Sequence, residues 1–323
     1  MISLRYHIVS LVAVFLALAL GIVVGSTVLQ EGTVSVLRAT SERVRQESDR
    51  NSRENVSLRQ EVSRLQSFGV SVLPELVQGR LRGRSVVLVD TDKADSGMRD
   101  SVRKVLEDAG AEVDGQITFA DARLALGADA DRTAMGRLLA VDAGAPDVLR
   151  GELVKRLAGR LVTPSAMPQQ DNQRASDVLT GLQDADFLAD LKLSKPLAAG
   201  TDPFPRQGSS FVLLGPSAAN SATAVAPNAF LVPLADQVSG RAATGAVAGV
   251  EAAAVPKDSS WVLALRDNRE VSRRVSGIDA ADTSYGQLAL VQALQSSLLR
   301  QTAGQYGIKD GASGLLPERT EGS

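Results

Sequence analysis

The chain has no cysteine. Disulfides, Cys-rich zinc sites, iron–sulfur clusters and thiol catalysis are therefore excluded. Histidine is nearly as scarce. His7 is the single one, and it stands ahead of the apolar N-terminal run. A histidine-based triad in the rest of the chain is ruled out, and His7 reads as an interfacial residue rather than a metal ligand. Soft ligands are limited to Met1, Met98, Met135 and Met167. Aromatic residues make up only 3% of the 323, so a core has to be built from Val, Leu and Ala. A net charge of -2 offers no general attraction to nucleic acid. The phosphate-binding pattern GxxxxGK is missing, and no GxGxxG follows the first Val-rich run.

What is present begins with AVFLALALGIVVG at residues 13–25. No charge occurs between Ile8 and Gln30. As a helix this run measures about 34 Å, enough to cross a hydrocarbon core of about 30 Å. The apolar region of a signal peptide is shorter, roughly 7–15 residues, so a retained anchor is expected. The alternative is cleavage at Val24-Gly25-Ser26. Arg5 precedes the run and Glu31 follows it, which places the N-terminus in the cytoplasm and the remainder outside. Ala13, Ala17, Gly21 and Gly25 fall four apart and form a small-residue ridge of the kind that lets membrane helices pack in pairs.

Residues 38–64 are rich in Arg, Glu, Ser, Asn and Gln and contain neither proline nor glycine. A heptad fits them. Val34, Ser41, Ser48, Asn55 and Val62 take the a positions, and Leu37, Val44, Asn51, Leu58 and Leu65 the d positions. The seam is apolar at its ends and polar in the middle. It reads as a coiled coil with a weak centre, or as an exposed, highly charged helix. A parallel homodimer is favoured, because ridge and stalk ask for the same partner. Phe68-Gly69 and Pro74 are expected to end the helix. The stalk arginines read as a solvated face.

Ser85 to Asp90 is a short Val-rich run, read as a buried strand. A helix with Val102, Val105, Leu106 and Ala109 on one face follows, and then a second strand from Glu112 to Phe119. This is a βαβ unit, so a parallel sheet is expected. Residues 124–191 read as mostly helical and 197–208 as a linker. Phe211–Leu214, Ala246–Val250 and Trp261–Leu265 bring the expected strands to about five. The last helix runs from about Tyr285 to Gln301 with Gly304 as a cap, and the tail from Gly311 reads as loose. Trp261 reads as core rather than as a binding platform.

The expected fold class is thus α/β. A transmembrane helix (1–30) and a coiled-coil stalk (31–73) lead to an extracytoplasmic domain (74–317) with a mainly parallel sheet and flanking helices, and 318–323 form a disordered tail. Chemistry is sparse. Asp90, Asp92 and Asp95 cluster at the end of the first strand, where open α/β sheets bind ligands, so a hard cation such as Mg²⁺ is conceivable. Helix capping and loop solvation account for them more simply, since no basic or nucleophilic companion is evident. Asp279, Asp282 and Thr283 read as caps for the last helix. No catalytic, cofactor-binding or metal-binding residue is assigned, and the chain reads as a non-enzyme.

The opening MISLRYHIVSLVAVFLALALGIVVGS resembles the start of the mycobacterial copper transport protein B family of actinobacteria. GIDAADTSYGQLALVQALQ, followed by GQYG and GASGLLP, is similar to that family's final helix and tail, and the stalk and GRSVVLVDT agree as well. The resemblance implies copper transport or copper homeostasis in the cell envelope, with an outer-membrane channel role as the family's proposed alternative to the single-pass cell-membrane location. It also implies a link, through related members, to control of cell-wall hydrolases in cell separation. Copper enters only through this resemblance. Cu(I) favours thiolate and thioether ligands and Cu(II) favours imidazole, whereas the part beyond the anchor offers three scattered methionines. Repeated strands with aromatic girdles, as in a membrane barrel, are not what the sequence contains. A transport protein, a scaffold with an envelope protein partner and, least supported, an enzyme stand as the three readings.

Overall fold

A computed structural model describes residues 4–142, 144–165, 177–194, 202–241 and 245–318, and the side chains of all of these except 4, 5, 26–37, 39 and 227. The chain divides into two units, Met1–Leu65 and Gln66–Ser323.

The first unit belongs to one helix, α1 (Leu4–Val77), which runs on into the second unit. Tyr6–Gly25 is long and apolar enough to cross a membrane, with a mean hydropathy of 2.9, and none of it is buried within the chain. On the ridge of Ala13, Ala17, Gly21 and Gly25, a Cβ added at either glycine would meet nothing within 4 Å. In the stalk the described seam residues Val44, Asn51, Asn55, Leu58, Val62 and Leu65 are all exposed. Val34 and Leu37 lie outside the described side chains.

The second unit is a sheet between two helical layers. Its strands are β1 (Ser85–Thr91), β2 (Glu112–Phe119), β3 (Leu188–Leu193), β4 (Ser210–Leu214), β5 (Val247–Val250), β6 (Val275–Ile278) and β7 (Gln305–Tyr306). They lie in the order β3-β2-β1-β4-β5-β6-β7. All neighbours are parallel except β2 and β3. The helices of this unit after α1 are α2 (Ser96–Asp108), α3 (Asp121–Leu124), α4 (Asp129–Leu138), α5 (Pro146–Val162), α6 (Val178–Asp184), α7 (Leu231–Ser239), α8 (Trp261–Asp267), α9 (Arg269–Ser272) and α10 (Ser284–Arg300).

Alternation along the strands separates two cores. Val87, Val89, Ile117, Phe119, Phe211 and Leu213 face α5, α7 and α8 on one side. Val86, Leu88, Val212, Leu214 and Val250 face α2, α10 and the end of α1 on the other. Sheets covered on both faces need near-continuous apolar strands, and SVVLV and SFVLL supply them.

Several expectations are corrected. α1 does not stop at Phe68-Gly69 or Pro74. Leu73 and Val77 are buried in the second core, and that burial offsets the roughly 3 kcal/mol a proline costs inside a helix. Gly69 serves instead as a close-packing position, since a Cβ there would strike Ser284. Trp261–Leu265 is helical, not a strand. A five-residue apolar run has no readable period, and local caps decide it: Ser260 Oγ accepts from the Leu263 amide at 3.1 Å. Trp261 itself is fully buried, with Nε1 donating to the Val250 carbonyl at 2.9 Å, as a core residue should.

The sheet has seven strands rather than about five. β3 overlaps the end of the stretch read as helical, and β6 and β7 are too short to announce themselves. The linker reading of 197–208 fails at Phe204, which is fully buried; 195–201 lie outside the described residues. The last helix ends on Gln301, left-handed at φ 55°, rather than on Gly304. The segment from Gly311 is held as far as Gly314: the Ser313 amide donates to the Gln305 carbonyl at 2.7 Å, and Tyr306 bridges to Gly314. Residues 319–323 lie outside the described residues.

Candidate functional site at the carboxyl ends of the strands

Strand order reverses between β1 and β4, and an open α/β sheet binds ligands in the crevice at that point. Here the chain draws its own loop across it. After β4, the Ser217 amide donates to the Lys93 carbonyl in the β1 loop at 2.8 Å. Further along, the Val225 amide donates to both carboxylate oxygens of Asp121, at 3.2 and 3.0 Å. Asp121 opens α3 after β2, so this one loop ties the ends of β1, β2 and β4 together. Burial pushes the Asp121 carboxyl above its ordinary value, and Asp92 nearby adds to the rise.

The acidic residues of the first strand end take separate protein partners. Asp90 is buried under α2 and paired with Arg99, the basic companion that the sequence did not reveal. Burial raises its carboxyl, against the opposing pull of Thr118 and Arg99. Asp92 accepts from the Asp121 amide at 3.1 Å, and Asp95 caps α2 through the Met98 amide at 2.7 Å. Capping therefore holds for Asp95, and loop bonding for Asp92. Among the described residues, no three His, Cys, Asp or Glu side chains gather in a metal-ligating group.

Two further carboxylates stand directly after strands, and sequence reasoning missed how they work together. Glu251 follows β5 and is fully buried. It accepts from Ser260 Oγ, from the amides of Trp261 at 3.0 Å and Val262 at 3.3 Å, and from Lys309 Nζ at 2.5 Å. Burial still pushes its carboxyl upward. Asp279 follows β6 and is equally buried. It accepts from the amides of Ile308 at 2.7 Å and Lys309 at 3.0 Å, and from Arg266 Nη1 at 2.7 Å. Arg266 then reaches the carbonyls of Tyr306 at 2.9 Å and Asp310 at 3.1 Å.

The expected capping role of Asp279 is thus corrected. Thr283 alone caps α10, through the Gly286 amide at 3.1 Å, while Asp282 accepts from the Ala253 amide at 2.8 Å. A signal for these sites was legible: VVLVD, VAGVE and VSGID each end an apolar strand on an acid. Their basic partners, from distant positions, were not.

Together Glu251, Asp279, Arg266 and Lys309 clamp the C-terminal segment 305–310 onto the sheet edge. Gly307 belongs to the clamp. Its φ is +136°, and a Cβ there would enter the Asp279 carboxylate. Chemically the arrangement holds and seals. Glu251 and Asp279 are satisfied by the chain's own amides and cations, whereas Asp90 Oδ1 is buried without a hydrogen-bond partner among the described residues. The methionines divide likewise. Met98 packs under one face of the sheet and Met135 under the other; Met167 lies outside the described residues.

Comparison with known proteins places these features in a family. The model for the family described as "Copper transport outer membrane protein, MctB" matches residues 1–317. A Mycobacterium tuberculosis protein named copper transporter MctB is 26% identical over 339 residues, covering 97% of this chain and 98% of its own length. The namesake from Mycobacterium leprae is 28% identical over 335 residues, covering 98% and 99%. The two end segments that carried the resemblance are the apolar helix and the stretch from β6 through α10 into the C-terminal tail. By a match that spans nearly its full length, the chain belongs to the MctB copper transport outer membrane protein family.

Proposed function

We propose that this chain is a membrane-anchored component of copper transport or homeostasis in the cell envelope, and that its α/β domain acts by binding an envelope protein rather than by catalysis or by housing the metal. The family match along the whole chain carries the copper assignment. Tyr6–Gly25 supports an anchor, and Arg5 ahead of it supports a cytoplasmic N-terminus with the domain outside. The non-catalytic reading is supported by Glu251 and Asp279, whose carboxylates are taken up by the chain's own amides and cations. The indirect handling of copper is supported by two methionines on opposite faces of the sheet, in a chain without cysteine.

The experiment is deletion of the gene in its native host, with copper tolerance and cell-associated copper as readouts. The deletion is expected to change both, and restoration is expected from the full chain but not from residues 74–323 without the anchor. Unchanged copper handling with chained cells and altered wall-hydrolase activity would replace this reading with that of a scaffold in cell separation.

A further inference from the structure

Residues 41–65 lie on one continuous helix, and their described side chains are exposed. Val44, Leu58, Val62 and Leu65 are 58%, 64%, 52% and 61% exposed. They recur at a and d spacing, so they line one seam. The charges flanking that seam are sorted by sign. The g positions hold Glu47, Glu54 and Glu61, and the e positions Arg45, Ser52 and Arg59, all exposed. Two of these acids make exposed contacts within the helix, Glu54 with Arg50 at 3.0 Å and Glu61 with Arg64 at 3.7 Å, and such pairs are weak.

We propose that this face docks a second copy of the chain as a parallel, in-register, two-stranded coiled coil. This inference is independent of the copper reading. Sign sorting selects the orientation. In a parallel pair, a g residue meets the e residue five positions later on its partner, which sets Glu54 beside Arg59 of the other copy, twice by symmetry. An antiparallel pair sets g against g and e against e, bringing Glu to Glu and Arg to Arg, which is repulsive. The polar layers select the register. Asn51 at d and Asn55 at a face their own counterparts only when the chains are aligned. A slip of one heptad sets Asn51 against Leu58 and Asn55 against Val62, burying amides against aliphatic side chains. Asn55 already lies along this seam, its Nδ2 donating to the Asn51 carbonyl at 2.8 Å.

The absence of native cysteine makes the test clean. Single variants Val44→Cys, Leu65→Cys and Gln60→Cys are made in the full chain and oxidised in membranes. Val44→Cys and Leu65→Cys are each expected to form homodimers, and Gln60→Cys, on the outer face, is not. In an antiparallel pair a positions face d positions, so Val44 would meet Val62 of the other copy, whereas in the parallel pair these two positions lie about 27 Å apart along the helices. When Val44→Cys and Val62→Cys chains are co-expressed, a disulfide joining position 44 of one copy to position 62 of the other would mean an antiparallel pair and overturn the proposal. Capture of a different protein alone, or a monomer at every concentration in detergent, would overturn it too. Glu54→Lys and Arg59→Glu are each expected to weaken self-association several-fold, and the double variant to restore it. A double variant weaker than either single would exclude the assigned pairing.

Discussion

Lys309 reaches from the C-terminal segment to set its ammonium 2.5 Å from the carboxylate of Glu251 at the end of β5. Both side chains are almost fully buried, 7% and 1% exposed. The Lys309 amide also donates to Asp279 at 3.0 Å, so one residue joins the ends of two parallel strands. Lys309→Met would leave Glu251 buried and without its cation. A loss of about 3–5 kcal/mol is expected from breaking such a pair on one side. Thermal unfolding of the detergent-solubilised full chain is the measurement. The Lys309→Met/Glu251→Gln double variant should recover part of the loss, because a neutral amide retains an acceptor for the Trp261 and Val262 amides. Equal melting of Lys309→Met and wild type would refute the clamp.

Asp121 gives a pH dependence of defined sign. Its carboxyl is raised in the folded chain above the ordinary 3.8, with burial as the main cause. The folded state therefore holds its proton longer than the unfolded state does. That contribution to stability is fully present below pH 3.8. It is lost as pH rises through the folded value. Asp121→Asn keeps an acceptor for the Val225 amide and removes the titration. Between pH 4 and pH 7 the variant should lose less melting temperature than wild type. A steeper fall in the variant would show that burial does not govern this group.

The parts of the fold visible in sequence are those set by local pattern. SVVLVDT and EVDGQITF declare a βαβ start because their period and the helix between them are long enough to read. β6 and β7 are four and two residues long, too brief for any period, and exist because neighbouring strands supply their ladders. α8 is illegible for the same reason, its helical state fixed by Glu251 and Ser260 outside the run. In the candidate site the acids were legible as strand endings. Arg99, Arg266 and Lys309 were not, since their partners lie 9, 13 and 58 positions away and only the fold joins them.

Gly286 sits in the first turn of α10, inside the family-like segment GIDAADTSYGQ. A Cβ there would collide with the Ala280 backbone carbonyl, which cannot rotate away. Gly286→Ala should destabilise by about 1–3 kcal/mol, as overpacking does. Gly159 in α5 is the control, with nothing within 4 Å of an added Cβ. Gly159→Ala should stabilise by about 0.4–1 kcal/mol by restricting the unfolded chain. The pair of melting curves separates a glycine required for packing from one that is merely tolerated. Equal shifts in both would remove the close-approach argument.

The proposal of indirect copper handling bears most directly on Met98 and Met135. Met98 lies 3% exposed beneath α2 with Val102 and Leu106, and Met135 is fully buried with Leu139 and Leu153. The sheet stands between them, so a single Cu(I) ion cannot take thioethers from both. Each fills an apolar space as a flexible hydrophobe, and Met to Leu conserves that volume at a cost below about 1.5 kcal/mol. Met98→Leu and Met135→Leu, singly and together, should therefore fold and should restore copper tolerance to a deletion strain as well as the native chain does. Titration of the full chain with Cu(I) against a competing chelator supplies the second readout, with Met167→Leu added to cover the remaining thioether beyond the anchor. No tight site is expected in the native chain. Stoichiometric binding that disappears in the triple variant would locate copper on the domain itself and replace a partner-mediated role with direct carriage.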